Sequence, residues 1–207
     1  MKLKTRMVGL FAALSIVCGL GCSSNNCLPQ EAEYELEDVV VQLTGNHNST
    51  LNASRSATFR MTSIRPKGRA VGTATLFSYR GKQIVVTAAH VVRGATGYFI
   101  ESRYEAGVER HLKLIYYDEV ADIAIMIPTT KIETIKPIKL RTAKSKHMYV
   151  GTKTIYSGYP NNHSMLTIHG RISGFTNSAN LILDTYGWGG ASGSSVFDEK
   201  GRLLGIL

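Results

Sequence analysis

The sequence predicts an all-β fold, and three observations carry that prediction. From residue 58 onward, short runs rich in valine, isoleucine, threonine and tyrosine alternate with clusters of glycine, proline and asparagine. Six such runs precede a basic, proline-containing connector over residues 131–146, enough strands with short turns to close a small antiparallel barrel. A second set of runs follows the connector and continues to residue 207.

Residues 1–21 are set apart from that fold as an export signal. Met1-Lys2-Leu3-Lys4-Thr5-Arg6 is basic, and the apolar run over residues 8–20 is too short to span a bilayer comfortably. The run ends at Leu20-Gly21-Cys22-Ser23-Ser24, which looks like a lipoprotein signal with Cys22 as the acylated residue; Gly19 stands where leucine is usual. The mature chain is therefore expected to be exported and lipid-tethered to a membrane of the cell envelope, on its periplasmic or extracellular face. The full chain carries a net charge of +9, and losing Lys2, Lys4 and Arg6 with the signal leaves +6. A positive surface suits anionic membranes, cell-wall polymers or acidic polypeptides. No dense Lys/Arg run with interleaved aromatics argues for nucleic acid. Cys18 leaves with the signal, Cys22 takes the lipid and Cys27 stands single, so no disulfide framework is implied. No Cys/His pairs have metal-ligand spacing, and none is expected to hold a metal.

Residues 22–56 read as a polar tether, with Asn46-His47-Asn48-Ser49-Thr50 lacking any periodicity. Within it, residues 36–43 (Leu-Glu-Asp-Val-Val-Val-Gln-Leu) fit a short strand or helix packed on the domain. The first half of the fold is assigned to residues 57–143. A strand over 58–64 ends at the turn Arg65-Pro66-Lys67-Gly68, and runs 71–79 and 83–88 form a hairpin across Tyr79-Arg80-Gly81-Lys82. His90 lies just past that hairpin, and Val91-Val92-Arg93-Gly94 reads as one helical turn ending at the glycine. Strands over 97–101 and 108–117 follow, and 123–127 brings Asp122 back toward the histidine.

The second half, residues 144–207, holds strands over 149–156, 165–172 and 181–183, with Gly158-Tyr159-Pro160-Asn161-Asn162 as a turn. Runs 196–197 and 202–207 make a last hairpin across Asp198-Glu199-Lys200-Gly201, a type I turn with glycine in final position. Ahead of it stands Gly189-Gly190-Ala191-Ser192-Gly193-Ser194-Ser195-Val196-Phe197. Glycines around a serine allow a tight backbone that exposes the hydroxyl and turns amides toward one point, as a nucleophilic serine requires. A Gly/Ser cluster alone is more often a plain loop. Here a strand-end histidine in Val85-Val86-Thr87-Ala88-Ala89-His90 and a strand-opening aspartate in Ala121-Asp122-Ile123-Ala124-Ile125-Met126 precede it, in the order His, Asp, Ser.

These motifs resemble those of the trypsin-like serine proteases. Thr87-Ala88-Ala89-His90-Val91-Val92 is similar to their histidine motif, Asp122-Ile123-Ala124-Ile125 to their aspartate segment, and Gly190-Ala191-Ser192-Gly193-Ser194-Ser195 to Gly-Asp/Asn-Ser-Gly-Gly-Pro. The close spacing suits the compact bacterial branch with the HtrA/Deg proteases and the glutamyl endopeptidases, and the likeness runs over residues 57–207. It implies a chymotrypsin-like double antiparallel β-barrel and a serine endopeptidase that needs no cofactor and acts on polypeptides. In the roles so implied, Ser192 is the nucleophile, His90 the general base and Asp122 its orienting carboxylate, with the amides of Gly190 and Ser192 as the oxyanion hole. Asp118, four residues earlier, is the alternative carboxylate. The other histidines, His47, His111, His147, His163 and His169, lack a matching context.

Three departures accompany the likeness. Ala191 replaces the aspartate that receives a new N-terminus in trypsin-like zymogens, and Ser194 and Ser195 replace Gly and Pro. In the family, the strand resembling Leu203-Leu204-Gly205-Ile206-Leu207 is followed by chain that walls the primary specificity pocket. The second barrel is thus expected to be incomplete, whether as a fragment, an open barrel, or one completed by another chain. The pocket floor would lie near Asp184-Thr185-Tyr186-Gly187-Trp188. The rival to a peptidase is a catalytically silent relative that binds peptides or a partner.

Overall fold

The computed structural model describes residues 49–176 and 180–207, all within one compact unit. The segment expected to be an export signal, Cys22, Cys27, His47 and the 36–43 strip lie outside those residues.

Six strands close the first barrel: β1 (Thr58–Arg65), β2 (Gly68–Tyr79), β3 (Lys82–Thr87), β4 (Gly97–Glu101), β5 (Glu109–Asp118) and β6 (Ile123–Pro128). They run in the order β1-β4-β5-β6-β3-β2, and β2 pairs back onto β1 from Thr58↔Thr75 to Arg65↔Gly68. A two-residue strand, β7 (Ile138–Lys139), joins β2 in parallel. The second sheet contains β8 (Lys153–Gly158), β9 (Leu166–Phe175), β10 (Leu181–Asp184), β11 (Ser195–Asp198) and β12 (Leu203–Ile206), in the order β10-β9-β8-β11-β12. Among the described residues it curls without closing. The all-β double barrel with an incomplete second barrel is what this chain builds.

Side-chain alternation explains why β3 and β6 read as nearly unbroken apolar runs: both are covered on two faces. One set of residues, among them Ala74, Leu76, Val85, Ala124 and Met126, fills the first barrel with Phe59, Met61 and Ile100. The alternate set, Phe77, Ile84, Val86, Ile123, Ile125 and Ile127, points outward and meets Phe197, Leu203 and Ile206 of the second sheet. The rings of Phe77 and Phe197 lie 6.1 Å apart across that contact. Each fully buried side chain of this size contributes about 1.5–3 kcal/mol. The two barrels thus share an apolar seam, and the motif residues lie along its edge.

Three local outcomes differ from the sequence expectations. Residues 49–56, read as the end of the tether, form a helix, α1 (Ser49–Ser56). It has no apolar stripe and is held by polar ties: Ser54 Oγ donates to Ser157 Oγ (2.9 Å), Arg55 Nη1 to Thr167 Oγ1 (2.6 Å), and Thr50 Oγ1 to the Glu199 carbonyl (3.1 Å). The strand expected from residue 149 begins at Lys153, because Thr152 N–H donates to the Tyr149 carbonyl (3.0 Å) and makes a turn there. The connector over 131–146 contributes β7, which no period-two pattern announces.

Candidate active site

β3 delivers the histidine. Its last residue, Thr87, is followed by Ala88 in extended conformation and then by the helical turn α2 (Ala89–Val92). The turn lifts His90 into solvent while Ala89, Val91 and Val92 stay buried. Asp122, one residue before β6, has φ +52, a left-handed conformation that aspartate tolerates better than most residues. That conformation turns its carboxylate onto His90. Oδ2 lies 2.6 Å from His90 Nδ1, Oδ1 accepts from the His90 backbone N–H at 2.8 Å, and the Asp122 carbonyl accepts from Ala89 N–H at 3.1 Å. A carboxylate can only accept, so Nδ1 carries the proton and Nε2 of the neutral ring is left as an acceptor.

Asp118 is engaged elsewhere. Its Oδ1 accepts from the amides of Val120 and Ala121 (3.0 and 2.9 Å), and Tyr116 Oη donates to Oδ2 (3.1 Å). These bonds, the Ala121 amide foremost, hold its carboxyl below the usual range. The remaining described histidines have local ties: His147 Nδ1 accepts from Lys144 N–H (3.0 Å), His111 meets Phe99 edge-on, and His163 and His169 offer only backbone carbonyls. Burial lowers the His147 pKa.

Ser192 lies in the loop between β10 and β11, and that loop is pressed against the first barrel. The Ser192 carbonyl accepts from Thr73 N–H of β2 at 2.8 Å. A Cβ added at Gly72 would lie 2.9 Å from the Ser192 carbonyl oxygen and 2.8 Å from Val91 Cγ2, so the Ser192 loop and the histidine turn meet over one glycine of β2. Gly193 has φ +90 and an added Cβ would run into the Thr73 carbonyl and Thr87 Oγ1. Gly190 has φ +96, with the Tyr159 carbonyl where a side chain would stand. Among the described residues, neither the Gly190 nor the Ser192 amide donates to a protein acceptor, and Ser192 Oγ makes no hydrogen bond. His90 and Asp122 are thus paired directly, whereas Ser192 shares their site without bonding to them.

Beside the site, a cleft of about 840 Å³ runs from Asp122 to Leu207, lined by Leu181, Leu183, Val196, Leu204 and Ile206. Thr185 and Gly187 border it, while Tyr186 and Trp188 are exposed.

The trypsin-like peptidase domain model matches residues 72–206. The chain belongs to the trypsin-like peptidase family. Its fold is also that of solved proteases. The serine endoprotease from Yersinia pestis aligns at 20% identity over 76% of this chain and 55% of its own, with a TM-score of 0.63. The HtrA-type protease AlgW, solved with a tripeptide, aligns at 22% identity over 76% of this chain and 52% of its own, TM-score 0.63. The Rv3671c protease from M. tuberculosis, in its active form, aligns at 20% identity over 77% of this chain and 72% of its own, TM-score 0.61. The chain spans about half the length of the first two. No curated protein matches its sequence.

Two residues that the motifs do not include pack around the candidate site of this family member. Arg65, at the end of β1, donates through Nη2 to the carbonyls of His90 (3.1 Å) and Val91 (3.4 Å), tying down the histidine turn. Thr73 bonds to the Ser192 loop through both backbone and side chain. Neither carries a signal in the sequence, because an arginine before a turn and a threonine in a strand are ordinary occupants of those places.

Proposed function

We propose that the chain is a serine endopeptidase of polypeptides that works through an acyl-enzyme on Ser192. His90 Nε2 takes the Ser192 hydroxyl proton as Oγ bonds to the scissile carbonyl carbon, and the amides of Gly190 and Ser192 receive the oxyanion. The tetrahedral adduct collapses with cleavage of the C–N bond, and the imidazolium returns its proton to the leaving amine. Water then enters by the same route and releases the acid. Asp122 keeps the ring in the required tautomer and offsets the imidazolium charge. The observation that carries this reading is the 2.6 Å contact between His90 Nδ1 and Asp122, which leaves Nε2 as the ring's free acceptor. We further propose that the chain is exported and anchored through a lipid on Cys22, on the strength of the Leu20-Gly21-Cys22 segment.

Labelling of the full chain with a fluorophosphonate, together with casein cleavage, tests the reading. Wild type should label and cleave, Ser192→Ala and His90→Ala should do neither, and His111→Ala and His147→Ala should stay within about twofold of wild type. A folded wild type that neither labels nor cleaves would refute it and favour the silent, peptide-binding relative. In the same membranes, intact mass should show a diacylglyceryl group on Cys22 that is absent from Cys22→Ser; a soluble product cut elsewhere would refute the anchor.

A further inference from the structure

Thr73, wholly buried on β2, makes four hydrogen bonds that join three separate parts of the site. Its N–H donates to the Ser192 carbonyl (2.8 Å), and its carbonyl accepts from Thr87 Oγ1 (2.7 Å), three residues before His90. Its hydroxyl lies 2.8 Å from the Gly190 carbonyl and 3.1 Å from the Tyr159 amide nitrogen. A hydroxyl has one proton, and an amide can only donate. The Tyr159 N–H therefore points at Oγ1, and the hydroxyl proton has the Gly190 carbonyl as its single destination. The direction of this chain of bonds has no alternative.

That arrangement acts on the two residues whose amides serve the oxyanion in the reading above. The Gly190 carbonyl is held by the Thr73 hydroxyl and the Ser192 carbonyl by the Thr73 amide, so both residues are referenced to the same atom cluster on β2. The Tyr159 carbonyl closes in on Gly190 from the other side. Thr87 carries the same reference to the strand end that bears His90. β-Branching restricts the Thr73 side chain to few rotamers, which keeps Oγ1 in place.

We propose that Thr73 is a positioning residue: its hydroxyl holds the Gly190–Ser192 loop in the geometry that receives the oxyanion, and registers that loop against the histidine strand. The proposal rests on the peptidase reading and names a residue outside the triad and the oxyanion donors. Its chemistry predicts a particular variant series. Thr73→Val keeps the shape but strands the Gly190 carbonyl and the Tyr159 amide without a partner. Thr73→Ser restores the hydroxyl without the methyl. Thr75→Val serves as control, because Thr75 Oγ1 is equally buried on the same strand and has no hydrogen-bond partner.

The test is steady-state cleavage of labelled casein and the rate of fluorophosphonate labelling, with amide hydrogen exchange on the same full-length proteins. Thr73→Val should lower kcat and the labelling rate about 10- to 100-fold, the scale of a small misplacement of catalytic groups, with KM within about twofold. Thr73→Ser should recover most of the rate, and Thr75→Val should match wild type. A Thr73→Val enzyme as fast as wild type, or a Thr73→Ser enzyme as slow as Thr73→Val, overturns the proposal. Exchange in the wild type gives a readout that needs neither a folded variant nor activity. The Tyr159 amide should exchange as slowly as the barrel amide of Val85, and fast exchange overturns the Thr73 tie alone. A folded wild type with a protected Tyr159 amide but no labelling overturns the peptidase reading, and the positioning role with it.

Discussion

Gly193 and Ser194 are neighbours in the Ser192 loop, yet they face opposite constraints. At Gly193, a φ of +90 and close contact with the Thr73 carbonyl and Thr87 Oγ1 leave no room for a methyl group, and the flanking atoms belong to barrel strands that cannot yield. Gly193→Ala is expected to cost about 2–4 kcal/mol, combining an unfavourable backbone conformation with steric overlap. It should lower the thermal midpoint by roughly 5–15 °C and remove fluorophosphonate labelling. Ser194, by contrast, has a fully buried hydroxyl with no hydrogen-bond partner. Ser194→Ala deletes an unsatisfied polar atom and should leave the midpoint unchanged or raised. Calorimetry on the pair checks both, and an unaffected Gly193→Ala would show that the loop has slack.

The turn of the β11–β12 hairpin is tied together by Asp198. Asp198 is nearly fully buried; Oδ1 accepts from the amides of Lys200 and Arg202 at 2.9 Å each, and Oδ2 binds Arg202 Nε at 2.5 Å. The backbone adds Gly201 N–H to the Asp198 carbonyl at 3.0 Å, closing the turn. Removing the carboxylate leaves these donors without their acceptor in a partly enclosed place, at about 2–4 kcal/mol. Asp198→Ala should therefore shift the urea midpoint strongly. Asp198→Asn, which keeps one acceptor oxygen, should lose about half as much. Equal midpoints for all three proteins would show that the hairpin is held by the apolar seam through Phe197 and Leu203 instead. The same hairpin carries Ser195 and Val196 out of the Ser192 loop, so Asp198→Ala should slow labelling along with it.

Across the whole molecule, two tyrosines link folding to alkaline pH. Burial pushes Tyr156 up to about 12, and its hydroxyl donates to the Tyr186 carbonyl. Tyr159 is also raised to about 12 by burial, against the pull of the Arg103 and Arg60 guanidiniums. The ordinary tyrosine value is 10.0, so the unfolded chain gives up these protons first. Their contribution to stability is complete below about pH 10 and is lost as pH climbs through about 12. Urea midpoints measured from pH 9 to 12 should fall across that window, and ultraviolet titration should show Tyr156 and Tyr159 among the tyrosines that ionise late. Tyr156→Phe and Tyr159→Phe should each flatten the fall; an unchanged slope in both would refute the assignment.

β3 and β6 were legible in the sequence because burial on both faces writes itself as a continuous run of valine, isoleucine and alanine. His90, Asp122 and Ser192 stood out because each occupies the end of such a run or a glycine cluster, in one order along the chain. Helix α1 was not legible: its residues have no apolar period, and its ties to Ser157, Thr167 and Glu199 come from two strands and a turn a hundred residues or more away. β7 is a strand only because β2 offers it an edge. The sequence by itself marked the strands other than β7 and offered His90, Ser192 and either Asp122 or Asp118 as candidates, because strand runs and motifs are patterns local to a few residues. Tertiary structure alone decided that Asp122 rather than Asp118 meets His90, and that Arg65 and Thr73 brace the site. Those outcomes depend on which carbonyls and amides lie within about 3 Å after the barrels pack, a distance no spacing along the chain encodes.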